Sequence, residues 1–427
     1  MNVIDPDAPK FLWKKSSAST GYGELGLTWS EPKPATIRYQ ANPVVIFGLG
    51  YDAAANDATT QGTATMGRGV MVADATTGAP IWQAGPAPIG ATYNKTVSGM
   101  AYSISADPVV LDTNGDGYAD RIYVADTGGN VWRINIDNAT PSNWTVYKVA
   151  SVGGAGANAR KFLYPPDVVY ATGYDAVLIG SGDREHPSDT TVLNRYYMFK
   201  DSHCLQPLVS TSSTKIFCAV PTSAPENTYV WVKRDWGTPG PTLAESDLYD
   251  ATGNLVQVGT SSEKSAAVTS INGSGGWYVT LGKLNSTTGA YLPIGEKVVG
   301  GSISVGGATY FATNVPAVSL SSANACISNL GESRLYAVSY QSGAAVLDLD
   351  KTSTSSGLSG TSTSTVLTTS DRYTIQPGGG YAPSPVAAVV ILNGAPREAV
   401  IIGTSVMQTP RQDLNRRHSI YWGLPID

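Results

Sequence analysis

The sequence predicts an all-β chain folded as one irregular β-propeller, and three observations carry that expectation. Short apolar strands closed by Gly, Asp and Asn turns recur from end to end, and almost no window shows helical periodicity. The strand–turn–strand units are similar in kind and spaced by tens of residues, the mark of a radial β architecture. At 427 residues the chain is long for an ordinary domain, but all-β propellers exceed that size as single units, so residues 1–427 are read as one domain.

The first unit is Pro43–Tyr51 followed by Gly69–Trp82, and the second is Asp107–Leu111, Arg121–Ala125 and Gly129–Asn135. A third pairs Ala176–Asp183 with Asn194–Lys200, and Gly276–Leu281, Ile303–Thr313 and Arg334–Ser339 come after it. Val386–Leu392, Glu398–Gly403 and His418–Trp422 make the last. In Val72-Ala-Asp-Ala-Thr-Thr-Gly-Ala-Pro-Ile-Trp82 a strand ends on Asp74, Gly78 closes a hairpin and Trp82 opens the returning strand. Tyr336–Gly343 is a looser copy. These hairpins resemble those of quinoprotein-type propellers, in which a Trp docks each blade on its neighbour. Ala8–Lys14 reads as the outer strand of an incomplete blade, closing the ring near Tyr421 and Trp422. Residues 202–243, rich in Ser, Thr and Pro, read as an insertion, and the Ser/Thr/Gly tract 351–370 as an exposed flexible loop.

Composition narrows the functional classes. A net charge of −5 and a pI near 5.3 give no basic stripe, which argues against nucleic acid as a partner. No apolar run approaches the ~20 residues of a membrane span. Met1-Asn-Val-Ile-Asp-Pro6 has neither a basic nor an apolar leader region, so the chain reads as cytosolic or as the interior of a longer exported protein. Cys204 and Cys218 bracket a polar segment that a disulfide would staple at its base; Cys326 has no visible partner.

The most informative stretch is Asp112-Thr-Asn-Gly-Asp-Gly-Tyr-Ala-Asp120, between two apolar strands. Oxygen side chains alternate at Asp112, Asn114 and Asp116, with Asp120 beyond, and the Tyr118 carbonyl falls where an EF-hand loop supplies its backbone ligand. Gly115 and Gly117 allow the tight bends. The bidentate Glu of the EF-hand would fall at Tyr123, so Asp120 is expected to take over as a direct ligand. Three carboxylates crowded into one turn repel unless a cation joins them, and the oxygen count favours calcium over magnesium. Asp52, Asn56 and Asp57 are spaced irregularly and read as a capped turn rather than a second cation site. In Gly182-Asp-Arg-Glu-His186 a catalytic reading makes His186 a base with Asp183 or Glu185 as its orienter, and the alternative is a turn locked by an Asp183–Arg184 pair; with no nucleophile or oxyanion donor recognisable nearby, the locked turn is preferred.

Taken in order, a set of phrases resembles the C-terminal propeller of the PilC/PilY family of type IV pilus adhesins. They are Leu27–Pro32, Phe47–Asp52, Asp112–Asp120, Gly128–Ile134, Gly180–Pro187, Asn194–Tyr197, Asp247–Asp250, Gly276–Tyr278, Gly295–Val299 and Arg334–Ala337. The resemblance implies a seven-bladed, non-catalytic propeller whose calcium loop, with ligands Asp112, Asn114, Asp116, Tyr118 and Asp120, modulates pilus extension, retraction and adhesion. It implies minor pilins and the pilus tip as partners, together with host-cell or surface receptors. It also implies export through the periplasm to the outer cell surface, with this chain a fragment lacking the family's N-terminal half. The Arg-Gly-Asp integrin motif of some members is absent. Two alternatives come from other classes. A quinone-cofactor dehydrogenase would show adjacent cysteines over its cofactor, and none are adjacent here. A glycan-binding propeller would use exposed rings among the 9 Trp and 23 Tyr.

Overall fold

The computed structural model describes residues 10–57, 62–171, 173–202, 241–317, 330–350, 366–376, 379–392 and 395–410. Within them the strands fall into sheets that succeed one another along the chain. The first contains β1 (Lys33–Ile37), β2 (Gln40–Gly48), β3 (Val70–Asp74), β4 (Pro80–Gly85) and β5 (Tyr93–Thr96), in that spatial order. The second is the meander β6 (Val109–Leu111), β7 (Arg121–Ala125), β8 (Asn130–Asn135) and β9 (Thr145–Ser151). The third contains β10 (Asp167–Ala171), β11 (Tyr174–Gly180), β12 (Arg195–Ser202), β13 (Tyr249–Asp250) and β14 (Gly276–Thr280), with β14 between β12 and β13. A short hairpin, β15 (Lys283–Leu284) and β16 (Tyr291–Leu292), leads to the fourth sheet. That sheet holds β17 (Lys297–Val298), β18 (Ile303–Val305), β19 (Ala308–Val315), β20 (Glu332–Ser339) and β21 (Tyr373–Gln376), β17 and β18 sharing one edge of β19. The last has β22 (Val386–Leu392), β23 (Ala395–Ile402) and β24 (Ser405–Gln408).

Alternation along the strands explains the stacking. Successive side chains point to opposite faces, so a strand apolar at every position has both faces to cover. In β7 and β8, Ile122, Val124, Trp132 and Ile134 pack against Ile46, Val72 and Trp82 of the first sheet. Their neighbours Tyr123, Ala125 and Val131 face Val177, Tyr197 and Phe199 of the third. The third sheet repeats the arrangement, sending Leu178, Tyr196 and Trp277 toward Phe311 and Tyr336 of the fourth. The fourth sends Tyr310, Ala312 and Leu335 toward Val400 and Ile402 of the last. Aromatic contacts mark the seams. Trp82 and Trp144 lie 5.3 Å apart, and Tyr196, Phe311 and Tyr336 form a column with spacings of 3.8 and 4.7 Å.

Two expectations need correction. Of the segment Ala8–Lys14 read as a strand, Ala8 and Pro9 lie outside the described residues, Lys10 makes an isolated bridge and residues 11–14 are irregular; Trp13 rests on the β3–β4 hairpin, its indole N–H donating to the Ala75 carbonyl at 2.9 Å. The chain is also less purely β than its pattern suggests. Helix α1 (Ala53–Asn56) is one turn, but α2 (Leu255–Val258) and α3 (Ser261–Gly273) form a helical excursion between β13 and β14. The α3 side chains follow no apolar stripe; a capping box starts the helix, Thr260 and Glu263 exchanging hydrogen bonds. Lys200 meets its end, donating to the carbonyls of Ile271 at 2.5 Å and Ser274 at 3.1 Å. Cys204, Cys218 and Cys326, nearly all of the 202–243 insertion, positions 351–365 of the Ser/Thr/Gly tract, and His418, Tyr421 and Trp422 lie outside the described residues.

Candidate metal centre

The Asp112–Asp120 loop joins β6 to β7, as its flanking apolar runs require. Each oxygen side chain turns back on the loop's own backbone. Asp112 Oδ1 accepts from the Gly115 N–H at 2.7 Å and Asp112 Oδ2 from the Gly117 N–H at 2.7 Å. Asn114 Oδ1 accepts from Asp116 N–H at 2.9 Å, and Asp116 Oδ1 from Tyr118 N–H at 3.0 Å. This ladder of Asx turns bends the chain through Gly115 and Gly117, whose φ values of +76° and +86° suit glycine. Residues 114–118 are exposed, and Ala119 and Asp120 are buried.

Asp120 differs from the rest. Its Oδ2 accepts from the Thr113 N–H at 2.9 Å and the Thr113 hydroxyl at 2.8 Å, while its Oδ1 is buried with no hydrogen-bond partner among the described residues. A buried carboxylate oxygen without a donor is costly, and a cation is one group that would satisfy it. The donor set is all oxygen, which suits a hard cation. The first sheet also reaches the loop, a contact sequence spacing could not reveal. Thr36 Oγ1 donates to the Gly117 carbonyl at 2.6 Å, the Thr36 carbonyl accepts from Ala119 N–H at 2.8 Å, and Arg38 pairs with Asp116 Oδ2. The Arg38 guanidinium also lies 5.1 Å from the centre of the Tyr118 ring.

Next to Asp120 begins a buried ionic network between the second and third sheets. Arg121 donates to Asp175 Oδ2 at 2.6 Å and Arg133 to Asp201 Oδ1 at 2.6 Å. The Tyr123 hydroxyl sits between the carboxylates, 2.6 Å from Asp201 Oδ2 and 3.0 Å from Asp175 Oδ2. Burial, and then the two carboxylates, push the Tyr123 hydroxyl well above its ordinary range, so it stays a proton donor. The two guanidinium and two carboxylate charges balance, as burial demands.

The other candidates resolve as turns and braces. Asp52 caps α1, its Oδ1 accepting from Ala54 N–H at 3.1 Å and its Oδ2 from Thr65 N–H at 2.7 Å. Burial raises its carboxyl, but the Thr65 hydrogen bonds outweigh that and hold it below the usual carboxylate range. The buried Asn56 amide donates to the Asp52 carbonyl at 2.7 Å, and Asp57 Oδ1 accepts from the Tyr51 hydroxyl at 2.7 Å, so the trio forms the capped turn expected. The Gly182–His186 turn is locked, but not by Arg184, which reaches the Tyr164 hydroxyl at 3.2 Å. Asp183 Oδ2 instead meets Lys161 Nζ at 2.6 Å and His186 Nδ1 at 2.8 Å. His186 Nε2 points to the Asp57 carbonyl at 3.1 Å and Lys161 donates to the Asn56 carbonyl at 2.6 Å, tying this turn to α1.

Sequence reasoning passed over one further acidic group. Asp348, Asp350 and Asp371 each bring an oxygen within 4.8 Å of the others. Burial, and then hydrogen bonds with Asp348 and Asp350, raise the Asp371 carboxyl against the lowering effect of Thr368, as expected where neighbouring carboxyls share a proton. The Asp348-Leu-Asp350 spacing was the available signal, but Asp371 is brought in only by the fold.

The fold and the loop define a class: a large all-β domain of successive stacked sheets with an acidic loop between two strands of one sheet. No family profile matches the chain. It is 23% identical over 405 residues, 91% of its length, to a type IV pilus biogenesis factor PilY1 homolog of Xylella fastidiosa. It is 26% identical over 136 residues, 32% of its length, to the type IV pilus biogenesis factor PilY1 of Pseudomonas aeruginosa. The crystal structure of the P. aeruginosa PilY1 C-terminal domain superposes with a TM-score of 0.60 at 16% identity, covering 96% of this chain and 78% of that one. The matches take in only 23% and 10% of the two curated relatives, so the chain spans a minor part of their length. It is a relative of the PilY1 C-terminal domain.

Proposed function

We propose that the chain is the propeller part of a type IV pilus biogenesis factor and that its Asp112–Asp120 loop is a calcium site modulating pilus extension, retraction and surface adhesion. The observation that carries the reading is the combination of a pilus-factor relative matched over 91% of the chain with a loop whose buried Asp120 Oδ1 has no donor among the described residues. Asp112, Asn114, Asp116 and Asp120 would hold the ion with the Tyr118 carbonyl. When bound, it would neutralise the carboxylates and satisfy the orphaned oxygen. The chain's own part is to pre-bend the loop through its Asx turns and to fix Asp120 on the second sheet. Affinity should fall between the sensor range, about 10⁻⁷–10⁻⁵ M, and the extracellular range, about 10⁻⁴–10⁻³ M, because the bidentate Glu is missing.

We further propose closure as a seven-bladed ring at the cell surface, with minor pilins and the pilus tip as partners. Trp13 supports closure. Its contact with the β3–β4 hairpin matches that of Trp277 with the hairpin after β20, where the indole donates to the Tyr340 carbonyl at 3.0 Å. Both hairpins turn on a glycine at positive φ, Gly78 at +65° and Gly343 at +66°, and a Cβ on either would strike the Trp. Trp13 thus occupies the place of a docking residue from a blade preceding the first sheet. A non-catalytic role fits the Gly182–His186 turn, where both His186 nitrogens are engaged by Asp183 and the Asp57 carbonyl. Calorimetric calcium titration, beside pilus-retraction measurements in cells carrying Asp120→Ala, tests the reading. Absence of binding removes the metal. Binding that Asp120→Ala abolishes without any change in retraction makes the site structural only.

A further inference from the structure

Asp116 already has a cationic partner, and that partner comes from a different sheet. Arg38 follows β1 directly, in the turn to β2, and its guanidinium pairs with Asp116 Oδ2 while lying 5.1 Å from the Tyr118 ring centre. The pair is about two-thirds buried, with side-chain exposures of 35% and 33%. The contacts from Thr36 to Gly117 and Ala119 are neutral backbone and hydroxyl hydrogen bonds, which entry of a cation would not oppose by charge. The Arg38 contact is of another kind. A divalent ion held by Asp116 would be repelled by a guanidinium on the same carboxylate, since like charges a few ångströms apart disfavour one another even at partial exposure.

We propose that Arg38 is an internal counter-ion that a divalent cation must displace from Asp116, so that the β1–β2 hairpin of the first sheet senses occupancy of the loop. In the metal-free chain Arg38 neutralises one of the three loop carboxylates and steadies the exposed half of the loop. With the ion in place, Asp116 exchanges one cation for the other, Arg38 leaves the carboxylate, and Thr36 alone keeps the hairpin on the loop. Arg38 is therefore a positioning residue that sets the loop's affinity and links the two sheets. This inference rests on the metal reading of the loop.

The test uses the full chain and calcium itself. Calorimetry should find Arg38→Gln binding about two- to fivefold tighter than wild type, the range expected for losing a partly exposed competing ion pair. Arg38→Lys, which keeps the charge, should stay close to wild type. Thermal melts supply a readout independent of pilus function: Arg38→Gln should lower the midpoint in chelator and leave it unchanged in saturating calcium. Wild type that binds no calcium would overturn the metal reading and the exchange with it. Wild type that binds, with Arg38→Gln equal or weaker, would overturn the exchange alone, as would an equal loss of midpoint with and without calcium.

Discussion

Replacing Tyr123 by Phe tests the buried network with the smallest change of shape. The ring is fully buried, and its hydroxyl stands 2.6 Å from Asp201 Oδ2 and 3.0 Å from Asp175 Oδ2. One hydroxyl proton serves two carboxylates, so removing the oxygen takes a charge-assisted donor from the pair without altering packing. Such bonds contribute about 1.5–3 kcal/mol, and the carboxylates left behind cannot turn to water. Tyr123→Phe should therefore cost about 2–3 kcal/mol. Asp201→Ala should cost more, about 3–5 kcal/mol, because it strands the Arg133 guanidinium 2.6 Å from where its counter-charge stood. Urea denaturation in chelator, followed by Trp emission, measures both, the slope of the transition checking that each variant unfolds alike. A loss below about 0.5 kcal/mol for Tyr123→Phe, or a larger loss than for Asp201→Ala, would refute the assignment of the hydroxyl as shared donor.

On the proposed calcium site, Asp120→Ala should weaken binding by about tenfold or more, since it removes a proposed ligand charge and an oxygen lacking a donor among the described residues; calorimetry reads the shift. His186 is held above its ordinary 6.5 chiefly by its hydrogen bond to Asp183. For a raised base, its stabilising contribution is complete below about 6.5 and fades as pH rises through the higher folded value. Wild type should thus lose thermal midpoint across that window relative to His186→Gln, and parallel pH profiles for the two proteins would rule the brace out.

The stacked sheets were legible because apolar side chains stand on both faces of the strands, as Ile122, Val124, Trp132 and Ile134 on one side and Tyr123, Ala125 and Val131 on the other show by packing into two cores. The 112–120 loop was legible because ligand spacing is local. What spacing cannot carry is the second sequence segment of a contact. Arg38 and Thr36 lie some eighty positions from the loop they grip, and Asp371 about twenty from Asp348 and Asp350. The Asp183 brace was expected in kind, but its cation, Lys161, comes from beyond the motif, which led sequence reasoning to the neighbouring Arg184. Helix α3 was missed because it was sought as an apolar stripe. Its signal was the Thr260-Ser-Ser-Glu263 capping box, a pattern of hydrogen bonding rather than of hydrophobicity.

The hydrogen bonding of Asp120 decides which neighbour the loop can move. Its backbone is paired on both sides, the N–H donating to the Leu111 carbonyl at 2.8 Å and the carbonyl accepting from Ile136 at 2.7 Å. The C-terminal end of the loop is therefore anchored to the second sheet, and the Arg121–Tyr123 network behind it is closed off by burial. The exposed half, residues 114–118, is held by its own Asx turns and by the first sheet. Exchange of Arg38 for a cation on Asp116 would rearrange the weaker set, which contains Asp116 and Tyr118 but not β7. A signal from the loop would thus pass to the β1–β2 hairpin through Thr36 and Arg38, rather than to the third sheet through Asp175. It follows that Tyr123→Phe, despite its cost in stability, should bind calcium as wild type does. A calorimetric affinity for that variant displaced by more than about threefold would reroute the coupling through the buried network.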